Sequence, residues 1–175
     1  MTEQQPYTVL STKDGFELRR YPAYVLLQVR EPGDFMPAGN RAFQPLVSYI
    51  SGNNATGQKI AMTAPVIQQA DGEADHLVSF VMPSDFSFES LPLPISSRLK
   101  IVEVAEHLAA AVKFSGSWNE ARFAAKGEEL LAAVKLAGLE TDGSVYWARF
   151  DPPFKPGFLR RNEALIRVKD KEGKL

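Results

Sequence analysis

The same order of secondary-structure signals runs twice along this chain, and that repetition constrains the fold more than any single motif. Residues 7–11 and 16–21 have strand composition about Asp14-Gly15, a dipeptide that readily supplies the positive φ of a hairpin. Pro22 breaks the ladder, and a strand pattern over 24–30 stops at Pro32-Gly33. From Asp34 the spacing is helical, with Ala38, Ala42, Pro45, Leu46, Tyr49 and Ile50 on one face, Pro37 in the first turn and Gly52 as the stop. Pro45 predicts a kink or the opening of a second short helix. Strand patterns return at 59–68 and 76–82. After a proline-rich link over 83–94, strands at 99–104 and 107–114, a helix over 118–137, and strands at 145–151 and 163–168 repeat the order.

Placing Phe16 on Leu99 sets an offset of 83, which lays Leu18 on Ile101, Val25 on Leu108, Val29 on Val112, Arg30 on Lys113 and Gly33 on Gly116. Farther along the offset grows to 87, with Ala64-Pro65 on Asp151-Pro152. Each half has a few strands and one helix, too little to close a core alone. The expected fold is therefore α+β, an internal pseudo-twofold duplication of a ββαββ unit packed into one curved sheet system with both main helices on its faces. Its half-repeats fall at about 6–83 and 98–168 within one domain over 1–175. In the second helix, Ser117 with Glu120 three residues on reads as a capping box, and Gly138 fits the position after the C-cap. A groove between helix and sheet is the expected by-product, and such grooves take small apolar ligands.

Composition removes several chemistries. The chain has no cysteine, so disulfides, thiolate metal sites and thiol nucleophiles are excluded. Its two histidines, His76 and His107, lie on different expected strands, and no set of side chains has metal-ligand spacing. Gly52 and Gly57 look like a phosphate loop only until Gln58 and Lys59, which stand where Lys and Ser or Thr belong. No catalytic residue is assigned. Glu103, between Val102 and Val104 and laid on Arg20, is the carboxylate to test if the groove carries chemistry; an ion pair with Arg20 or a solvated position are its plainer readings. Arg160 and Arg161 beside Glu163 are expected to form surface ion pairs. With 20 basic and 21 acidic residues, the net charge of −1 offers no field for nucleic acid. A polar start and the lack of an 18-residue apolar run lead to the expectation of a cytoplasmic protein with no membrane partner.

The first helix carries the candidate surface. Arg41, Gln44 and Ser48 form a polar stripe at helical spacing beside Phe43, Val47 and Met36. A flat apolar body can lie on the strip while carboxylates at its edge meet Arg41. An ordinary amphipathic helix is the competing reading.

Three stretches, in this order, add a resemblance: Lys59-Ile60-Ala61-Met62-Thr63-Ala64-Pro65-Val66, then Phe80-Val81-Met82-Pro83, then Asp151-Pro152-Pro153-Phe154 running into Arg160-Arg161-Asn162-Glu163. With Phe16-Glu17-Leu18-Arg19-Arg20-Tyr21 and the Leu91-Pro92 link, they resemble the haem-binding SOUL family over about residues 6–168. The resemblance implies a distorted antiparallel β-barrel or sheets with two main helices, similar to GyrI-like effector-binding domains, with haem or another tetrapyrrole as a non-obligatory ligand in a shallow apolar groove against the first helix. It implies cofactor-binding positions at Arg41, Phe43, Gln44, Val47, Ser48 and Tyr49, of which Arg41 matches a basic helix position and Tyr49 falls where a lysine can occur. Gln44 and Ser48 make this groove more polar than the family pattern. Some members place an axial histidine near the first helix; this chain has none between Phe16 and Lys59, which leaves His76 as the candidate. The expected function is binding of a small apolar anion of this kind, for buffering or transport rather than catalysis. The alternatives are a sensor or hydrolase of the GyrI-like type using the same groove, and an interaction module without a small ligand.

Overall fold

The computed structural model describes residues 2–170. In chain order its elements are β1 (Glu3–Gln4), β2 (Thr8–Lys13), β3 (Phe16–Tyr21), β4 (Tyr24–Pro32), α1 (Phe35–Ile50), β5 (Thr63–Ala64), β6 (Val66–Asp71), β7 (Asp75–Val81), β8 (Leu99–Val104), β9 (His107–Phe114), α2 (Glu120–Leu136), β10 (Thr141–Arg149), a 3-10 turn (Gly157–Leu159) and β11 (Asn162–Val168). Two units emerge. The first takes in the described residues through Gln5 and Ala23–Val104; the second takes in Pro6–Pro22 and the described residues from Ala105 onward.

In the first unit the antiparallel order is β6-β7-β4-β8, with β1 and β5 as a separate parallel pair. Ala42, Leu46, Tyr49 and Ile50 of α1 pack with Leu27, Val29, Val78 and Phe80 of the strands, so the helical and two-residue periods meet in one apolar layer. In the second unit the order is β2-β3-β9-β11-β10, and Leu130 and Val134 of α2 pack with Leu18, Leu108, Ala110, Val145 and Ile166. The strand order has edges at β8, bonded only to β4, and at β2, bonded only to β3. Of the barrel and the sheets that the resemblance left open, the α+β fold takes open antiparallel sheets.

The units are not the contiguous halves 6–83 and 98–168. The first strand of each half lies in the other half's unit: β3 pairs with β9, and β8 with β4. Leu18 faces Ala110 and Ile101 faces Leu27; Arg20 faces Leu108 and Glu103 faces Val25. Each pairing maps onto its counterpart at the offset of 83. The later correspondence needs correction, because Pro65 precedes β6 whereas Pro152 follows β10.

Local details depart from expectation in three places. The pattern at 59–68 is split: β5 and β6 flank Pro65, and 59–62 carry no strand. α2 is capped by Asn119, whose side chain accepts the Arg122 N–H at 3.1 Å, so Ser117 lies outside the cap and the expected box with Glu120 does not form. α1 runs through Pro45 as one helix. Both helices nonetheless end alike. Gly52 and Asn53 donate to Tyr49 and Ser48 carbonyls, and Gly138 and Leu139 donate to Lys135 and Val134 carbonyls, each glycine at positive φ.

Candidate functional site

Alternation along β4 puts Leu27, Val29 and Glu31 on one face, so a carboxylate continues the buried row beneath α1. Glu31 is 4% exposed. A buried carboxylate must be compensated, and two arginines do so. Arg41, from α1, donates through Nε to Oε2 at 3.4 Å, and Arg98, just ahead of β8, donates through Nη2 to Oε1. Arg41 also donates through Nη2 to the Pro32 carbonyl. Gly33 permits this fold-back: it turns the chain at φ +95°, and a Cβ there would sit 3.2 Å from Arg41 Nη2. The arginine side chains are 49% and 55% exposed, so the cluster presents two guanidinium groups to solvent over one buried anion.

Farther along α1, Phe43 is 47% exposed and sets its ring edge-on to Phe80 at 5.6 Å. Val47 is half-buried against the unit's core, Met36 is half-buried and Gln44 is exposed. Ser48 is half-buried and accepts from Asn53 Nδ2 at 2.9 Å. Tyr49 departs from the expected ligand-facing placement. It is fully buried among core side chains and its hydroxyl donates to the Pro92 carbonyl, which fastens the proline-rich link. The loop after α1 is no phosphate loop: buried Asn54 donates to the Tyr49 and Gln58 carbonyls and accepts from the Gln58 N–H, pinning the turn.

His76 of β7 is the register partner of Glu31 and meets Phe35, the first residue of α1, edge-on at 5.7 Å. Its Nδ1 is buried and has no hydrogen-bond partner among the described residues. His107 lies in the second unit, stacked on Tyr21 at 5.6 Å with Nδ1 2.9 Å from the Ala105 carbonyl oxygen. Burial pushes its pKa down against that hydrogen bond, which favours the neutral ring. Glu103 is exposed on the edge strand β8, so it is not a buried base, and Arg20 pairs with Glu106 at 3.3 Å. Among the described residues no group of three or more metal-ligating side chains gathers, and no helix is long and apolar enough to cross a membrane.

Two features of the second unit were missed. Arg161 does pair with Glu163, as the sequence suggested, but Glu163 is wholly buried and also binds Arg19. Arg160 turns inward to donate to the Lys155 carbonyl at 2.7 Å and covers the Trp118 ring at 4.6 Å. A cleft of about 510 Å³ opens at the start of α2, lined by Ser115, Gly116, Ser117, Asn119, Arg122 and Phe158. Arg122 is held there by the Ser115 carbonyl at 2.9 Å. In the first unit, Arg98 and Glu31 were also missed; the alternation of β4 carried the signal for Glu31, whereas Arg98 sits in no periodic pattern.

Residues 2–167 match the family described as SOUL heme-binding protein. Heme-binding protein 2 of Homo sapiens is 29% identical over 171 residues, covering 90% of this chain and 80% of that protein. Heme-binding protein 1 of Bos taurus is 27% identical over 137 residues, covering 75% and 70%. Among solved structures, the C-terminal domain of EcmrR superposes with a TM-score of 0.68 at 14% identity, covering 94% of this chain and 99% of that one. A hydrolase from Listeria innocua gives 0.61 at 19% identity, covering 91% and 94%. At these identities the structural likeness concerns the fold, an α+β arrangement similar to GyrI-like domains.

Proposed function

This chain belongs to the SOUL heme-binding protein family, and from that premise we propose that it binds haem or a related tetrapyrrole on the outer side of α1, as a carrier or buffer. The observation that carries this reading is that α1 bears Arg41, fixed by Glu31 and Pro32, on one flank and the exposed Phe43 with half-buried Val47 on the other, so that a flat ligand laid across its outer side can reach both. A macrocycle buries its apolar face on Phe43, Val47 and Met36, and each Å² removed from water contributes roughly 25 cal/mol. Its carboxylates meet Arg41 through charge-assisted hydrogen bonds. Gln44 and Ser48 border this strip and supply polar contacts at its edge. Tyr49 supports the helix from within the core.

The residues present suit a tetrapyrrole held by packing and carboxylate contacts. When bound, haem supplies iron and its ligand-exchange chemistry; the protein's part is to bind and orient the macrocycle. His76 meets Phe35 at the start of α1, with its Nδ1 buried. An open helix surface with one fixed arginine favours exchangeable binding, as carriage requires. Glu103 offers no buried base for the hydrolytic alternative.

Haemin titrated into micromolar protein should give a saturable Soret change that weakens in Arg41→Ala and in Phe43→Ala. No saturable change, or one indifferent to both substitutions, would overturn the reading.

A further inference from the structure

We propose that the loop between β10 and β11 is a membrane-contact site: Phe154, Phe158 and Leu159 enter the interfacial layer of a bilayer, while Lys155, Arg160 and Arg122 meet anionic lipid headgroups. This goes beyond the tetrapyrrole reading and does not depend on it.

A single exposed apolar side chain is ordinary, but here three gather on one loop. Phe154 is 87% exposed, Phe158 75% and Leu159 54%. Their exposure is built into the backbone. At the base of the loop, Asp151 accepts the Arg161 N–H at 2.6 Å and Lys155 Nζ at 2.7 Å. Arg160 donates to the Pro153 and Lys155 carbonyls on either side of Phe154, so one guanidinium fixes the turn that carries this ring. The 3-10 turn bearing Phe158 and Leu159 is tied down by the Gly116 N–H, which donates to the Gly157 carbonyl at 2.9 Å. A Cβ on Gly157 would sit 2.4 Å from Ser117 Oγ, so turn and strand end are in close contact. Pinned at these three places, the loop holds its rings away from the core.

Charge selects the partner. Lys155 and Arg160 alternate with the apolar residues along the loop, and Arg122 lines one cleft with Phe158. The acids nearby are Asp151, already bonded to Lys155 and the Arg161 amide, and Glu120 in the first turn of α2. On a chain of net charge −1, this end is locally cationic. Rings interleaved with cations suit the bilayer interface, where aromatic side chains sit at headgroup level and cations meet anionic lipids. The rings protrude, so a protein partner would need a pocket shaped to them, whereas a bilayer receives a projecting tip without shape complementarity. Lying on a bilayer requires no spanning helix, so the sequence expectation of no membrane partner, drawn from the lack of a long apolar run, does not bear on this contact.

The test is co-sedimentation of the full chain with vesicles of phosphatidylcholine alone and of equal parts phosphatidylcholine and phosphatidylserine, without haemin. The wild-type chain should bind the mixed vesicles, more weakly as salt is raised, and bind phosphatidylcholine alone about tenfold less tightly. Phe154→Ser with Phe158→Ser should lower affinity for the mixed vesicles about tenfold or more, the scale of withdrawing one ring from water. Lys155→Gln should lower it about fivefold. The substituted rings are exposed, so the thermal melt of the paired variant should match the wild type. No binding to mixed vesicles, equal binding to both vesicle types, or binding indifferent to loss of both rings would each overturn the proposal. Self-association of the wild-type chain in sedimentation equilibrium, abolished by the paired variant and unaccompanied by vesicle binding, would overturn it in favour of a contact between copies. None of these results touches the tetrapyrrole reading, because the ligand is left out.

Discussion

Arg19 and Glu163, 144 positions apart, form a two-pronged ion pair with both side chains out of contact with solvent: Nη1 to Oε1 at 2.8 Å and Nη2 to Oε2 at 2.9 Å. The rest of the arginine is also satisfied, by Glu17 at Nε, by the Tyr21 hydroxyl at 2.9 Å and by the Tyr7 ring 4.0 Å from the guanidinium carbon. Arg161 donates to Glu163 from the other side at 2.8 Å. Breaking such a pair strands a buried charge, which costs roughly 3–5 kcal/mol, whereas replacing both partners by apolar groups of similar volume is close to neutral. Glu163→Ala should therefore destabilise the protein by about that amount in urea melts. The pair Arg19→Met with Glu163→Leu should recover most of it. Equal losses in the single and paired variants would contradict this account.

The same pair sets an acid limit. Burial alone would push the Glu163 carboxyl up, but hydrogen bonds and charge from Arg19 and Arg161 outweigh it and hold the pKa below the ordinary carboxylate range. A carboxyl depressed in the folded state contributes stability that is fully present above its unfolded pKa, about 4.3, and is lost as pH falls through the folded value. Urea midpoints measured from pH 7 down to pH 3 should fall more steeply in the wild-type chain than in Glu163→Gln over the acid end of that range. Parallel curves would show that another group governs acid unfolding.

Tyr49 separates a core role from a binding role. Its hydroxyl is bonded to the Pro92 carbonyl inside the protein, so Tyr49→Phe should cost about 1 kcal/mol, the net worth of one such hydrogen bond. Haemin affinity should stay at the wild-type value. A clear affinity loss without a stability loss would return Tyr49 to the ligand surface.

Much of this arrangement was legible because period and burial coincide. Leu27, Val29 and Glu31 alternate inward on β4, and helical spacing placed Tyr49 with Leu46 and Ile50 on the apolar face, where it lies. The family resemblance pointed the other way for that residue, and the spacing was the better guide. The pairing of β3 with β9 was not legible: the inward-facing pattern of β3 fits β9 or β4 equally well, and only long-range pairing decides between them. Asn119 and Ser117 are both good cap residues two positions apart, so the cap could not be resolved from local preference. Arg19 with Glu163, and Arg98 with Glu31, join residues far apart in the chain, and no local pattern announces such contacts. The candidate site was accordingly half visible: its helix could be read, and the second arginine beside it could not.

His76 decides whether iron matters to binding. A protein ligand to haem iron needs an imidazole nitrogen free to reach the metal. His76 is half-buried against Phe35, and its Nδ1 is enclosed without a hydrogen-bond partner among the described residues. An enclosed, unsatisfied nitrogen costs roughly 1–3 kcal/mol, so His76→Leu should stabilise the fold by about 1 kcal/mol once the lost ring packing is counted. With the ligand held by Phe43, Val47 and Arg41, the same substitution should leave the Soret maximum of the haemin mixture unmoved. Protoporphyrin IX without iron should bind within about threefold of haemin, a difference under 1 kcal/mol. A shifted Soret maximum in His76→Leu, with iron-free porphyrin binding tenfold or more weakly, would instead make His76 an axial ligand.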